Sequence, residues 1–215
     1  MTTTIANQAR ALNLAAGAGR LPALVLMTDR HRLPNLEAAL DRLPIGSAVL
    51  FRDYDAADRR ARAGWLALQC RSRGLLLIVA GDAGLAIQVG AAGLHLPQHL
   101  LRRTGRWRRG RRGWILTAAA HDAAAVTAAA RIGADAAILS PVFPTASHPG
   151  QPTLGSHRFA ALVRHSAIPV YALGGITAMT GRRLKASGAA GLAGISALAV
   201  DGRRTETLCD QLRGA

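Results

Sequence analysis

Short apolar runs alternate with longer amphipathic or alanine-rich stretches along most of this chain. Eight runs carry little internal polarity: Ala23–Met27, Ser47–Phe51, Leu75–Val79, Gly93–Leu96, Trp114–Ala118, Ala136–Leu139, Val170–Leu173 and Gly191–Ile195. Such runs fit parallel strands that are buried on both faces. Helix-length segments lie between them, most clearly Leu36–Leu43, Ala56–Ser72, Ala83–Val89, His121–Ile132, His157–His165, Ala178–Ser187 and Arg203–Leu212. Asp55 and Thr177 stand where N-caps belong, and Gly74, Gly133 and Gly188 stand where helices end.

Eight strands with interleaved helices predict an α/β fold, a (β/α)8 TIM barrel. The strand count disfavours the alternative, an open doubly wound sheet. The barrel occupies residues 21–215 as one domain, and residues 1–20 form a short N-terminal arm or helix against its bottom or side. One connection is irregular. After His95-Leu96-Pro97 the chain runs into an arginine-rich stretch close to the next strand, which places that stretch towards the bottom of the barrel.

Composition changes this picture little. Half of the 215 residues are apolar, enough for a sizeable core, and only 18% are charged. The net charge of +15 invites a nucleic-acid partner. Against that, Lys185 is the only lysine, and seven arginines clump between Arg102 and Arg112 around Trp107, as on a solvated surface. Nucleic acid is therefore the disfavoured partner, and a small phosphorylated molecule the expected one. Cys70 and Cys209 stand alone, which fits a reducing cytoplasm. The longest apolar stretch, Leu75 to Leu96, is broken by Asp82 and glycines and reads as strand–loop–helix–strand, so no membrane span is expected. A homo-oligomer is compatible with all of this.

Active sites of such barrels lie at the carboxyl ends of the strands. The polar groups there are Thr28-Asp29-Arg30, then Arg52-Asp53-Tyr54-Asp55, Asp82, His95 with Gln98, and His121-Asp122. Further along come Ser140 to Thr145, Gly174-Gly175-Ile176-Thr177, and Ile195-Ser196. The last two groups carry the sharpest signal. Gly174 and Gly175 let a phosphate approach backbone N–H groups, and Ser196 opens the turn into the final helix. A phosphate site built by loops seven and eight recurs in this fold.

The same residues resemble the thiamine phosphate synthase and TenI family. The resemblance runs from Ala23 to about Ala199. It rests on Leu26-Met27-Thr28-Asp29, Arg52, Gly90 to Gln98, Gly133-Ala134-Asp135, Ser140 to Thr145 and Ile168-Pro169-Val170. Leu173 to Thr177, Gly188 to Gly191 and Ile195 to Leu198 complete it. It implies a transferase that joins an aminopyrimidine pyrophosphate to a thiazole phosphate and releases pyrophosphate with the help of Mg²⁺. It assigns Arg52 to the pyrophosphate, His121 to the site after strand five, and Thr145 and Ser147 to the thiazole phosphate. Gly174, Gly175, Ile195 and Ser196 form the phosphate rim. Tyr54, His95, Gln98 and His148 are candidates for the pocket wall. Read without the family, Arg52 equally suits an ion pair with Asp53 or Asp82, and His121 suits a helix start.

The chain also departs from the family pattern. The strand-two pattern Gln-x-Arg-x-Lys reads Leu50, Arg52, Tyr54. The Asn-Asp pair after strand three falls on Ala80 and Gly81, the metal-binding aspartate on Leu100, and the lysine after strand six on His148. The usual Mg²⁺ ligand positions are thus lost, which leaves Asp82 as the one nearby candidate ligand or, equally, as a helix cap. The TenI histidine falls on Pro141, which sides with the synthase branch. Two functions follow as rivals: a divergent synthase, and a catalytically impaired barrel that still binds a thiazole phosphate or another small phosphorylated ligand.

Overall fold

A computed structural model describes residues 4–101, 113–145 and 150–198. Eight parallel strands close into a barrel in sequence order. They are β1 (Leu24–Met27), β2 (Ala48–Phe51), β3 (Leu76–Ala80), β4 (Gly93–Leu96), β5 (Ile115–Ala120), β6 (Ala136–Leu139), β7 (Val170–Ala172) and β8 (Gly191–Gly194). Strand β8 returns to β1 through Leu24↔Leu192, Val25↔Ala193 and Leu26↔Gly194. Helices α1 (Ile5–Ala15), α2 (Leu36–Leu40), α3 (Arg59–Ser72), α4 (Ala83–Gln88), α5 (Ala123–Arg131), α6 (Gly155–Arg164) and α7 (Ala178–Arg182) surround it.

Alternation along each strand builds two separate cores. Val25, Met27, Ala48, Leu50, Ile78, Ile138 and Tyr171 fill the barrel interior. Leu24, Leu26, Val49, Phe51, Leu77, Val79, Leu94 and Leu116 face outward and bury the helices' apolar sides. Small alanines at Ala136, Ala137, Ala172 and Ala193 keep the narrow interior and the close helix layer from overfilling.

The predicted strands lie within two residues of the observed ones. Strand β5 runs on to Ala120 because Ala119 and Ala120 pair with Ile138 and Leu139. Most of the helices are shorter than expected, although α6 starts two residues earlier, at Gly155. Helix α3 starts at Arg59, not Ala56, and Asp58, not Asp55, precedes it, without a side-chain cap. The delay has a local cause: Asp53 closes a turn by accepting the Ala56 N–H, and the chain clears the barrel mouth before it coils. Helix α7 ends at Arg182, after which Leu184, Lys185 and Ser187 continue the spiral with tighter i→i−3 bonds. Thr177 does cap α7, in a reciprocal box with Thr180. Asp82 and Asp122 cap α4 and α5. The segment Arg203–Leu212, Cys209 and the Arg102–Arg112 stretch lie outside the described residues.

Helix α1 packs against α7 and β8. Its Asn13 donates through Nδ2 to the carbonyls of Ala18 (3.1 Å), Leu21 (3.3 Å) and Ala190 (2.8 Å). Ala18 joins the interior core, so the segment after α1 closes the amino-terminal end of the barrel.

Candidate active site

The carboxyl ends of β1 and β2 are wired together around Thr28. Its hydroxyl accepts the Arg52 N–H (3.0 Å) and donates to Asp53 Oδ1 (3.0 Å). The second Asp53 oxygen pairs with Arg62 at 3.2 Å. The Arg52 guanidinium reaches the Thr28 carbonyl and Asp29 Oδ2, both at 3.4 Å. The expected ion-pair partners of Arg52, Asp53 and Asp82, are therefore replaced by Asp29, because Arg62 and Arg59 on α3 claim the other two carboxylates. Arg32 shares Asp29 at 3.0 Å. Burial would raise the Asp29 pKa, but the Arg32 and His31 amides and the Arg32 guanidinium outweigh it and hold the carboxyl below its ordinary value.

Arg59 is a candidate site residue that the sequence pattern did not reveal. From the first turn of α3 its Nη2 donates to the Ala80 carbonyl at 2.6 Å, at the very end of β3. Its guanidinium carbon lies 5.4 Å from the Phe51 ring centre and 5.5 Å from that of Tyr54. Its Nη1 stands 3.6 Å from Asp82 Oδ2. The available signal was the pair Arg59 and Arg62, three apart at the start of a helix that begins beside the barrel mouth.

Tyr54, half exposed, lies over the end of β3. A Cβ added at Gly81 (φ +72°) would meet Tyr54 Cε1 at 3.1 Å and Pro97 Cγ at 3.7 Å. The aromatic ring thus fills the space beside position 81. Burial raises the Tyr54 pKa against the lowering charges of Arg52 and Arg59, so the phenol stays protonated and can donate.

His95 is buried inside the barrel, with Nδ1 2.9 Å from Thr117 Oγ1. Burial, and then the Arg52 charge, push its pKa down to about 3, so the ring is neutral. Gln98 opens a short 3-10 turn, and its Oε1 is buried with no partner among the described residues. His121 places Nδ1 2.8 Å from the Ser140 carbonyl; a carbonyl only accepts, so this nitrogen carries the proton. It thereby ties the loops after β5 and β6 together. Asp82 caps α4 by accepting the Leu85 N–H at 2.8 Å.

On the other side of the mouth, the loop after β6 lies against the loop after β7. The Val142 and Phe143 amides donate to the Leu173 and Gly174 carbonyls at 2.9 and 3.1 Å. Gly174 and Gly175 both have positive φ, +95° and +61°. At Gly175 any side chain would strike the Pro144 carbonyl and Phe143, so the close loop contact itself requires glycine. Thr180 donates to the Gly175 carbonyl at 2.7 Å, which couples the α7 cap to the rim. Among the described residues nothing takes up the N–H groups of Gly174, Gly175 or Ser196. Ile195 is partly buried and Ser196 exposed at the end of β8, and Thr145 is partly buried after β6. Ser147 and His148 lie outside the described residues. A cleft of about 690 Å³ opens beside the mouth, between the loop after β1 and α3, lined by Arg30, Leu33, Phe51, Arg62 and Trp65. It includes none of the rim glycines.

These features coincide with a known family. The family model described as thiamine monophosphate synthase matches residues 24–198. The chain belongs to the thiamine monophosphate synthase family. The thiamine-phosphate synthase of Thiobacillus denitrificans is 35% identical over 174 residues, which cover 79% of this chain and 82% of that protein. The thiamine-phosphate synthase of Geobacillus kaustophilus is 34% identical over 182 residues, 80% of each. Among solved structures, the thiamine phosphate pyrophosphorylase from Pyrococcus furiosus superposes with a TM-score of 0.71 at 24% identity, covering 91% of this chain and 98% of that one. That likeness supports the (β/α)8 barrel.

Family membership raises the question of Mg²⁺. Among the described residues no group of three His, Cys, Asp or Glu could hold a metal ion. Asp29, Asp53 and Asp82 are each already paired with arginine. Mg²⁺ usually joins a substrate's phosphates through one or two free carboxylates, and these three, each engaged by an arginine, do not fit that role as they stand.

Proposed function

We propose that the protein is a thiamine phosphate synthase-type transferase that joins an aminopyrimidine pyrophosphate to a thiazole phosphate. The observation that carries this reading is the placement of Arg52 and the Gly174–Gly175 rim at one barrel mouth, in a chain of this family. Strand β8, which leads to Ser196, is separated from β2 by β1 alone, and β7, which leads to Gly174 and Gly175, by one strand more, so the two phosphate sites lie on neighbouring sectors of one mouth. Arg52, fixed by Thr28 and Asp29, neutralises charge on the pyrophosphate as the bond from its oxygen to the pyrimidine methylene carbon breaks. The bonding pair leaves with pyrophosphate. The thiazole nitrogen, aligned through its phosphate on Gly174, Gly175 and Ser196 with Thr145 and Ser147 beside it, donates its lone pair to that carbon. His121, Tyr54, His95, Gln98 and His148 serve as the pocket's polar wall.

The test is thiamine phosphate formation from the two substrates. Wild-type protein is expected to form product, and Arg52→Gln to lower kcat/KM by about 10²-fold, the usual cost of a lost charge-stabilising donor. No product above a no-enzyme control, with an active family member run in parallel, refutes catalysis. A second reading, a barrel that only binds a small phosphorylated ligand, is favoured by one observation: Asp82 is engaged as a cap and ion pair. Calorimetric binding of thiazole phosphate without turnover would establish it.

A further inference from the structure

We propose that guanidinium groups neutralise the pyrophosphate in this protein without a divalent cation, with Arg59 as the second cation beside Arg52. The inference rests on the transferase reading and specifies how its leaving group is held. Six arginines, Arg30, Arg32, Arg52, Arg59, Arg60 and Arg62, lie on the segments after β1 and β2 and at the start of α3, with Asp29, Asp53, Asp55, Asp58 and Asp82 among them. Asp29, Asp53 and Asp82, the acids that face Arg52, Arg59 and Arg62, each already accept from an arginine or a helix amide, so the carboxylates beside these guanidinium groups are committed.

Arg59 is the arginine best placed to serve. Its bond to the Ala80 carbonyl fixes the guanidinium at the end of β3, and the Phe51 and Tyr54 rings lie close to it. Among the described residues its buried Nε has no partner, and the carboxylate paired with it, Asp82, lies at 3.6 Å, beyond hydrogen-bond reach. An under-satisfied guanidinium exchanges a loose partner readily for a polyphosphate, which offers more acceptor oxygens and more charge. Asp82 is then a resting counter-ion that the ligand displaces. Position 81 supports this view: the Tyr54 ring occupies the space that a side chain there would need, so the aromatic shelf beside Arg59 and the missing acid go together.

Asp82→Asn separates the two arrangements by sign. Asparagine keeps the α4 cap but removes the carboxylate that competes for Arg59. Inorganic pyrophosphate is titrated calorimetrically into the full-length protein, first in EDTA and then with excess Mg²⁺. The expected result is binding in EDTA that Mg²⁺ changes by less than about 3-fold, tightened several-fold in Asp82→Asn and weakened about 10-fold or more in Arg59→Gln, with partial recovery in Arg59→Lys. Thermal melting checks that the variants fold, and Asp82→Asn carries the test if Arg59→Gln does not. Binding that appears only with Mg²⁺, or that weakens in Asp82→Asn, overturns the proposal, as does no pyrophosphate binding under either condition. The synthase assay distinguishes this failure from failure of the parent reading. Turnover that requires Mg²⁺ sinks the inference alone, whereas metal-free pyrophosphate binding without turnover sinks only the transferase.

Discussion

At the scale of single residues, the site depends on which polar groups already have partners. Arg52 was legible from its position after a strand, but its partner was not. Partner choice depends on which side chains α3 brings over the mouth, and that follows from where the helix starts, a boundary that local pattern places poorly. Arg59 escaped notice for the same reason. His95 illustrates a different limit: its place in a strand was readable, its charge state was not. Burial holds the folded ring's pKa at about 3, well below the value of about 6.5 expected in the unfolded chain. Between those values the unfolded state binds a proton that the folded state does not, so stability is full above pH 6.5 and falls on acidification. The slope from this one group approaches about 1.4 kcal/mol per pH unit. Urea unfolding of the wild type at pH 6.5, 5.5 and 4.5 should show it, and His95→Asn, less stable at pH 7, should lose it. The measured points lie above the range in which the Asp29 contribution changes, because a carboxyl with a lowered pKa loses its stabilising share only below about pH 4. A variant slope equal to the wild-type slope would refute the neutral, buried ring.

At the scale of elements, the eight strands were readable because period-two burial on both faces leaves short, uninterrupted apolar runs. The helix ends were less so, except where a cap was explicit. Thr177 is the clearest case, since its box with Thr180 also reaches the loop after β7 through the Gly175 carbonyl. That link joins local helix chemistry to the proposed phosphate rim. Thr180→Val keeps the shape and removes the hydroxyl. It should cost about 1 kcal/mol of stability through the lost bonds. It should also weaken thiazole phosphate binding several-fold, because Gly175 is no longer held against the cap. Ser166→Ala, which removes a hydroxyl bonded to Ile168 just before β7, serves as the control. It should lose similar stability with no change in phosphate affinity. Equal affinity in the wild type and Thr180→Val would show that the box is structural only.

At the scale of the whole molecule, the sequence repeat foretold a closed barrel but not how its lower end is sealed. The interior is narrow and lined by small side chains, so its amino-terminal opening must be stoppered without burying unpaired carbonyls. Asn13 does this with one amide nitrogen aimed at three carbonyls, from Ala18, Leu21 and Ala190, while the Tyr171 hydroxyl donates to Pro22 nearby. An asparagine in an N-terminal helix carries no pattern that announces such a role; only closure of the barrel brings residue 190 to it. The chemistry makes a sharp forecast. Asn13→Leu preserves bulk but takes the amide donor from the Leu21 and Ala190 carbonyls, while Ala18 keeps the Leu21 N–H, at about 1–3 kcal/mol. Asn13→Asp is nearly isosteric yet places an acceptor, charged when ionised, against three other acceptors, so at pH 7 it should lose more stability than Asn13→Leu. Lowering the pH towards 4 protonates the aspartic acid and returns one donor, so the gap between the two variants should narrow there. Chemical denaturation of both variants at pH 7 and pH 4 measures this. If Asn13→Asp proves as stable as the wild type at pH 7, the amide is not the seal, and apolar contacts such as that of Ala18 must close the barrel instead.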